Sequence, residues 1–374
     1  MKKTISFILI ITLCTATCFA AQASPEISAP CGILMERDTG KILFEKDSHK
    51  KLPPASVTKI MTLLIVFENI DSGNISLEDE VTVSEHAASM GGSQVFLSPG
   101  EKMSVDDMLK ATFISSGNDS AVALAEHISG SEEVFVGLMN KRAKELNMND
   151  STFKNCTGLD EDGHITSAHD IAIMSKELIK HKKIRDYTTT WIDSLRGGTF
   201  QLANTNKLVR SYRGITGLKT GSTSISKFCL SATAERDGME LIAVILAAPS
   251  SKERFADASR LLDFGFANYA IFDASEKALP DIPVILGNKE MLSLEFADTP
   301  SIVTEKSKLS SIEIEYSLPE EIKAPVAEGQ KIGVATLISE GNKLAEMPII
   351  ASEATEKLSV FQILIKMISS LLIR

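Results

Sequence analysis

Apolar residues recur at helical spacing through the first half of the chain and alternate with polar ones near its end, so the pattern predicts helices followed by strands. Ile60, Leu63, Leu64, Phe67 and Ile70 form one helix face that opens directly after Pro53-Pro54-Ala55. Ser56 falls near its first turn. A second helix begins at Ser104-Val105-Asp106-Asp107, with Ser104 placed as N-cap and Asp107 in the capping-box position. Further helical spacing runs through Ala121, Val122, Leu124, Ala125 and Ile128, then through 134–146 and 169–183. Strands flank this core. Residues 32–36 and 41–45 surround Asp38-Thr39-Gly40 as a hairpin, and Asp237-Gly238 joins the apolar runs 227–232 and 241–246 as another. A helix over about 253–266 closes a body made of helices and an antiparallel sheet, which is an α+β fold.

Beyond it, Ile312, Ile314 and Tyr316 alternate with Glu313 and Glu315, and the runs 332–338 and 344–350 flank Gly341-Asn342. Residues 275–352 thus read as a small all-β module without a catalytic constellation. In the tail, Leu358, Phe361, Leu364, Ile365, Ile368, Leu371 and Leu372 share one helical face, and Ser359, Gln362, Lys366, Ser369 and Ser370 the other. Such a helix is short for a span; it is expected to lie in a membrane interface, the alternative being packing on the protein's own core. At the other end, Met1-Lys2-Lys3, an apolar stretch from 5 to 13 and Ala21-Gln22-Ala23 have the form of a secretory signal cleaved near Ala23. The expected division is a signal peptide at 1–23, a catalytic domain at 24–272, an all-β domain at 273–354 and an amphipathic membrane anchor at 355–374.

Composition narrows the function. A chain of 374 residues with a formal charge of -10 argues against a nucleic-acid partner, which usually meets a basic surface. Without the signal, Cys31, Cys156 and Cys229 remain, an odd and scattered set expected to act as buried small hydrophobes. The six histidines are equally dispersed and no metal-binding spacing appears, so neither a metal nor a cofactor is expected.

The candidate chemistry lies in Ser56 and Lys59, which three residues place on one helix face, with the hydroxyl near free N–H groups at the helix start. Spacing alone proves little, because Ser48/Lys51, Ser151/Lys154 and Ser224/Lys227 repeat it. Ser72-Gly73-Asn74 likewise repeats Ser116-Gly117-Asn118, but within a turn where a structural reading suffices. Order gives specificity. Ser56/Lys59 opens a helix, Ser116-Gly117-Asn118 sits between two helices, and Lys219-Thr220-Gly221 borders a hairpin; this trio belongs to the penicillin-recognising serine enzymes.

The chain closely resembles the D-alanyl-D-alanine carboxypeptidases, low-molecular-weight penicillin-binding proteins of serine peptidase family S11. The resemblance covers nearly all the mature chain: 54–59, the Gly92-Ser93-Gln94 loop, 116–119, the stretch from Asn155 to Leu159 with His164 and Asp170, Asn204-Thr205-Asn206-Lys207, and 217–223. It implies a penicillin-binding-protein/β-lactamase-like catalytic domain, a β-rich second domain and an amphipathic C-terminal anchor. Cys156-Thr157 departs from the Pro-His often found there, which touches loop detail rather than chemistry.

The resemblance also implies roles. Ser56 would attack the bond between two D-alanines of a peptidoglycan stem peptide, with Lys59 as general base, its pKa lowered by burial and by Lys219. Ser116 would relay a proton to the leaving amine and Asn118 would hold the substrate amide. The N–H groups of Ser56 and Ser222 would form the oxyanion hole, Gly221 would belong to the same substrate-binding strand, and Lys219, Thr220 and Arg254 would receive the terminal carboxylate. A surface ion pair is the alternative for Arg254. β-Lactam antibiotics would acylate the serine, and His164 and Asp170 would support the fold. A β-lactamase is the alternative hydrolase, although no Glu-x-x-x-Asn stretch between Asp119 and Lys219 offers its second base. A catalytically dead peptidoglycan-binding protein is the other alternative, although no motif residue is missing. The expected location is outside the cytoplasmic membrane, held on its cell-wall face by the C-terminal helix.

Overall fold

The computed structural model describes residues 24–275, 277–298 and 300–372. The segment read as a signal, 1–23, lies outside them. The body is built on a five-stranded antiparallel sheet in the order Ile42–Lys46, Cys31–Glu36, Met239–Ala248, Lys227–Arg236, Ile215–Thr223. Successive side chains of a strand point to opposite faces, and here both faces are covered. Ile33, Met35, Ile242, Val244 and Leu246 join the core beneath the helices, whereas Leu34, Leu241, Ala243 and Ile245 pack with Leu261, Leu262 and Phe266 of the Ser251–Asn268 helix. Burial on two sides explains why Met239–Ala248 reads as a continuous apolar run rather than an alternating one.

The central helix is Lys59–Asp71, whose residues from Lys59 to Phe67 are all buried. It is preceded by a 3-10 turn, Ala55–Thr58, so Ser56 sits on a tighter turn than the simple helix start expected. Ser104 caps the Val105–Ile114 helix by accepting from the Asp107 N–H at 3.1 Å, as its position predicts. The next helix, Asn118–Ser129, follows within a few residues. The 169–183 pattern resolves into a shorter helix, Ala168–Leu178, and a separate 3-10 turn, Lys182–Ile184. At the hairpin turn, Asp237 and Gly238 both have left-handed backbones, φ 51° and 77°, as a two-residue type I′ turn requires.

The last quarter forms a four-stranded antiparallel sheet in the order Leu294–Phe296, Asn342–Ala351, Lys331–Ser339, Ile312–Ser317, around Ala335, Leu337, Met347 and Ile349. The strand Tyr269–Asp273, after the closing helix, pairs with Ser301–Glu305 of this β-rich part.

The C-terminal helix spans Val360–Leu372, and Val360 and Phe361 are mostly exposed rather than packed on a core. Among the described residues no helix is long and apolar enough to cross a membrane. At 1.5 Å per residue these thirteen residues reach roughly 20 Å, against a bilayer core of about 30 Å. The location expected from the sequence is corrected accordingly: placement at the outer membrane face rested on this helix, and no helix among the described residues is long and apolar enough to cross a membrane.

Candidate active site

Three parts of the fold converge on Ser56. The turn Ala55–Thr58 carries it, half-buried, and the helix that follows begins with Lys59. Lys59 is completely buried, yet its amine is fully partnered: Nζ lies 3.2 Å from Ser56 Oγ, 2.5 Å from Asn118 Oδ1 and 2.8 Å from the Thr157 carbonyl. Burial disfavours the ammonium and lowers its pKa to about 7. A lysine in that state exists partly as free amine at neutral pH, which is what proton removal from a serine requires.

The second part is the corner between the helices Val105–Ile114 and Asn118–Ser129. Ser116 adopts φ 63°, a backbone region uncommon for a residue with a side chain, and is almost fully buried. The corner is held from outside: Asn118 N donates to Ser93 O at 2.7 Å, its Nδ2 to Gly91 O at 2.7 Å, and the Asp119 carboxylate accepts from the N–H groups of Val95 and Leu97. The Gly92-Ser93-Gln94 loop is thus tied to the active-site corner.

The third part is the edge strand Ile215–Thr223, so the lysine-threonine-glycine motif lies inside a strand rather than merely beside a hairpin. Lys219 donates to Ser116 Oγ at 2.7 Å and to the Thr220 carbonyl at 3.0 Å, and Thr220 Oγ1 to Thr205 Oγ1 at 2.7 Å. Burial holds the Lys219 amine well below the usual lysine range, and the positive Lys59 and Arg254 add to this. The like-charge effect expected on Lys59 is expressed at Lys219; burial accounts for the shift of Lys59.

Arg254 lies in the Ser251–Asn268 helix and is not a surface ion pair. Its Nη1 donates to the carbonyls of Gly221 and Cys229 at 3.0 and 3.2 Å, and its guanidinium stacks over Phe228 and Phe255. Its buried Nε has no hydrogen-bond partner, and burial lowers its pKa to about 10.

Two glycines let the parts meet. A Cβ on Gly221 would stand 2.9 Å from Pro54 O and from the Ser56 and Val57 nitrogens. On Gly158 it would stand 1.9 Å from Ala55 O, with the backbone at φ 85°. Ser222, next along the strand, pairs with Phe228. His164 lies behind the turn: its Nδ1 accepts from Lys154 N, so Nε2–H donates to Thr58 Oγ1 at 2.8 Å. Asp170, in the first turn of the Ala168–Leu178 helix, accepts from Asp150 N and Ser151 Oγ. The departure at Cys156-Thr157 is harmless to these contacts, because Thr62 and Lys59 bind only the two backbone carbonyls. Those carbonyls, with Gly91 O and the Thr205 hydroxyl, are the groups sequence reasoning did not single out.

A helical layer and a five-stranded sheet meeting at these three motifs form the architecture of the penicillin-recognising serine enzymes. Residues 18–250 match the Peptidase_S11 family, described as D-alanyl-D-alanine carboxypeptidase, and residues 266–357 match the penicillin-binding protein 5 C-terminal domain. The chain is 44% identical over 371 residues to the D-alanyl-D-alanine carboxypeptidase DacF of Bacillus subtilis, covering 96% of this chain and 95% of that one. Penicillin binding protein 5 from Haemophilus influenzae superposes with a TM-score of 0.79 at 30% identity, over 89% of this chain and 99% of its own. Penicillin-binding protein D2 from Listeria monocytogenes, in its ampicillin-bound form, gives 0.59 at 30% identity over 64% of this chain and 98% of its own. The chain belongs to peptidase family S11, the D-alanyl-D-alanine carboxypeptidases.

Proposed function

We propose that the protein removes the terminal D-alanine from peptidoglycan stem pentapeptides through an acyl-enzyme on Ser56, and that penicillins acylate the same serine. The observation that carries this reading is the fully buried Lys59 amine, 3.2 Å from the Ser56 hydroxyl with its pKa lowered to about 7. Lys59 takes the Ser56 proton as Oγ bonds to the penultimate D-alanine carbonyl carbon. The N–H groups of Ser56 and Ser222 receive the oxyanion. The C–N bond then breaks, the proton passes to the leaving nitrogen through Ser116, and D-alanine departs. Water hydrolyses the ester, returning the proton to Ser56.

The terminal carboxylate is received by Lys219, Thr220 and Arg254. Its negative charge favours the protonated form of Lys219, reversing the effect of burial once substrate is bound. Asn118 Oδ1 keeps a second lone pair beyond the one used by Lys59 and can accept from the substrate amide. Gly221 leaves room for the strand to lie against the nucleophile turn. Within this reading, residues 24–272 form the catalytic domain and 273–354 a separate β-rich domain. Incubation with a stem pentapeptide tests it: release of one D-alanine, abolished in Ser56→Ala, supports the assignment, and an intact pentapeptide sinks it.

A further inference from the structure

The nucleophile turn is pressed from two sides, by Gly158 against Ala55 O and by Gly221 against Ser56 N. These glycines belong to different parts of the body, one to the loop after the Glu132–Glu145 helix and one to the edge strand Ile215–Thr223. Two residues beyond each glycine, the chains touch. Asp160 Oδ1 accepts from Thr223 Oγ1 at 2.8 Å, with Ser226 Oγ at 3.4 Å, and Thr223 Oγ1 in turn accepts from Ser226 N at 2.9 Å. The loop also carries the Thr157 carbonyl that holds Lys59, and the strand carries Lys219 to Ser222.

We propose that Asp160 and Thr223 are positioning residues: their hydrogen bond is a clasp joining the two walls of the cleft and fixing how closely both glycines seat the Ser56 turn. Neither side chain touches the reacting atoms. The clasp acts through the backbone, because displacing Gly158 moves Thr157 O relative to Lys59, and displacing Gly221 moves Ser222 relative to Ser56. Both partners lie toward solvent, so the bond contributes little to global stability. Its effect falls on alignment, where small displacements are costly to rate.

The proposal rests on Ser56 being the nucleophile, and its test is a double-mutant cycle on the rate of Ser56 acylation by a fluorescent penicillin, with thermal melting alongside. Asp160→Ala and Thr223→Ala are each expected to slow acylation about tenfold, within the coupling range of contacting residues. The double variant is expected to be no slower than either single one, and Thr223→Ser to keep the wild-type rate. Melting temperatures are expected to stay within about 2 °C of wild type. Single variants at the wild-type rate, losses that multiply in the double variant, or melting temperatures that fall along with rate would overturn the clasp. A wild-type protein that is not acylated would instead refute the nucleophile assignment.

Discussion

Lys219 Nζ donates to Ser116 Oγ at 2.7 Å, joining the edge strand to the corner between two helices. The bond brings a second buried lysine to the cleft, and like charges there cannot all persist. That repulsion, with burial, holds the Lys219 amine well below the usual lysine range, while burial alone lowers Lys59 to about 7 and leaves it partly neutral at neutral pH.

Acylation should follow that protonation. With the Lys59 pKa lowered to about 7, the rate of penicillin acylation is expected to rise about tenfold per pH unit below it and level off above it. Stopped-flow acylation from pH 5 to 9 reads this directly; a flat profile through pH 7 would contradict the base assignment.

Replacing the lysine should separate activity from stability. Its folded pKa lies below the ordinary 10.5, so the folded state binds fewer protons than the unfolded one between about pH 7 and 10.5, and stability rises with pH across that window. Lys59→Met is expected to lose about 10³-fold in acylation and to melt higher than wild type at pH 7. Paired kinetics and melting curves check both signs.

His164 gives a second pH dependence. Burial lowers its pKa from 6.5 to about 4, and the neutral ring accepts from Lys154 N. The folded state thus binds fewer protons between these values, and stability falls as pH drops through them, by about 3 kcal/mol in total. In His164→Gln that slope should flatten, as measured by denaturation at pH 4 and 7.

Arg254 should act on the free end of the substrate. Arg254→Ala is expected to reduce kcat/KM about 10- to 100-fold for peptides with a terminal carboxylate, in line with the loss of a charged hydrogen bond. A C-terminally amidated peptide should lose far less. Equal losses on both would assign Arg254 to holding Gly221 and Cys229 alone.

Much of this site was legible because its side-chain chemistry lies in short local motifs. Ser56/Lys59, Ser116/Asn118 and Lys219-Thr220 are each set by one turn or one strand, and the structure brings them together. What spacing could not convey was the backbone's part. The Thr157 and Gly91 carbonyls hold Lys59 and Asn118, yet any residue at those positions offers a carbonyl. The 3-10 turn at Ser56 depends on Gly158 and Gly221, which are distant in sequence. Pairing of Cys31–Glu36 with Met239–Ala248 is long-range and carries no local mark. The tail shows the opposite limit: its amphipathic pattern does yield a helix, but periodicity alone does not decide where that helix places the protein.

In the proposed reaction Ser56 carries the acyl group while one D-alanine is lost. Rapid quenching of the enzyme with a stem pentapeptide, then mass spectrometry of both peptide and protein, measures this most directly. The expected result is a tetrapeptide, one equivalent of D-alanine per turnover, and a transient acyl adduct on the peptide containing Ser56. An adduct on another residue, or tetrapeptide formation persisting in Ser56→Ala, would contradict it.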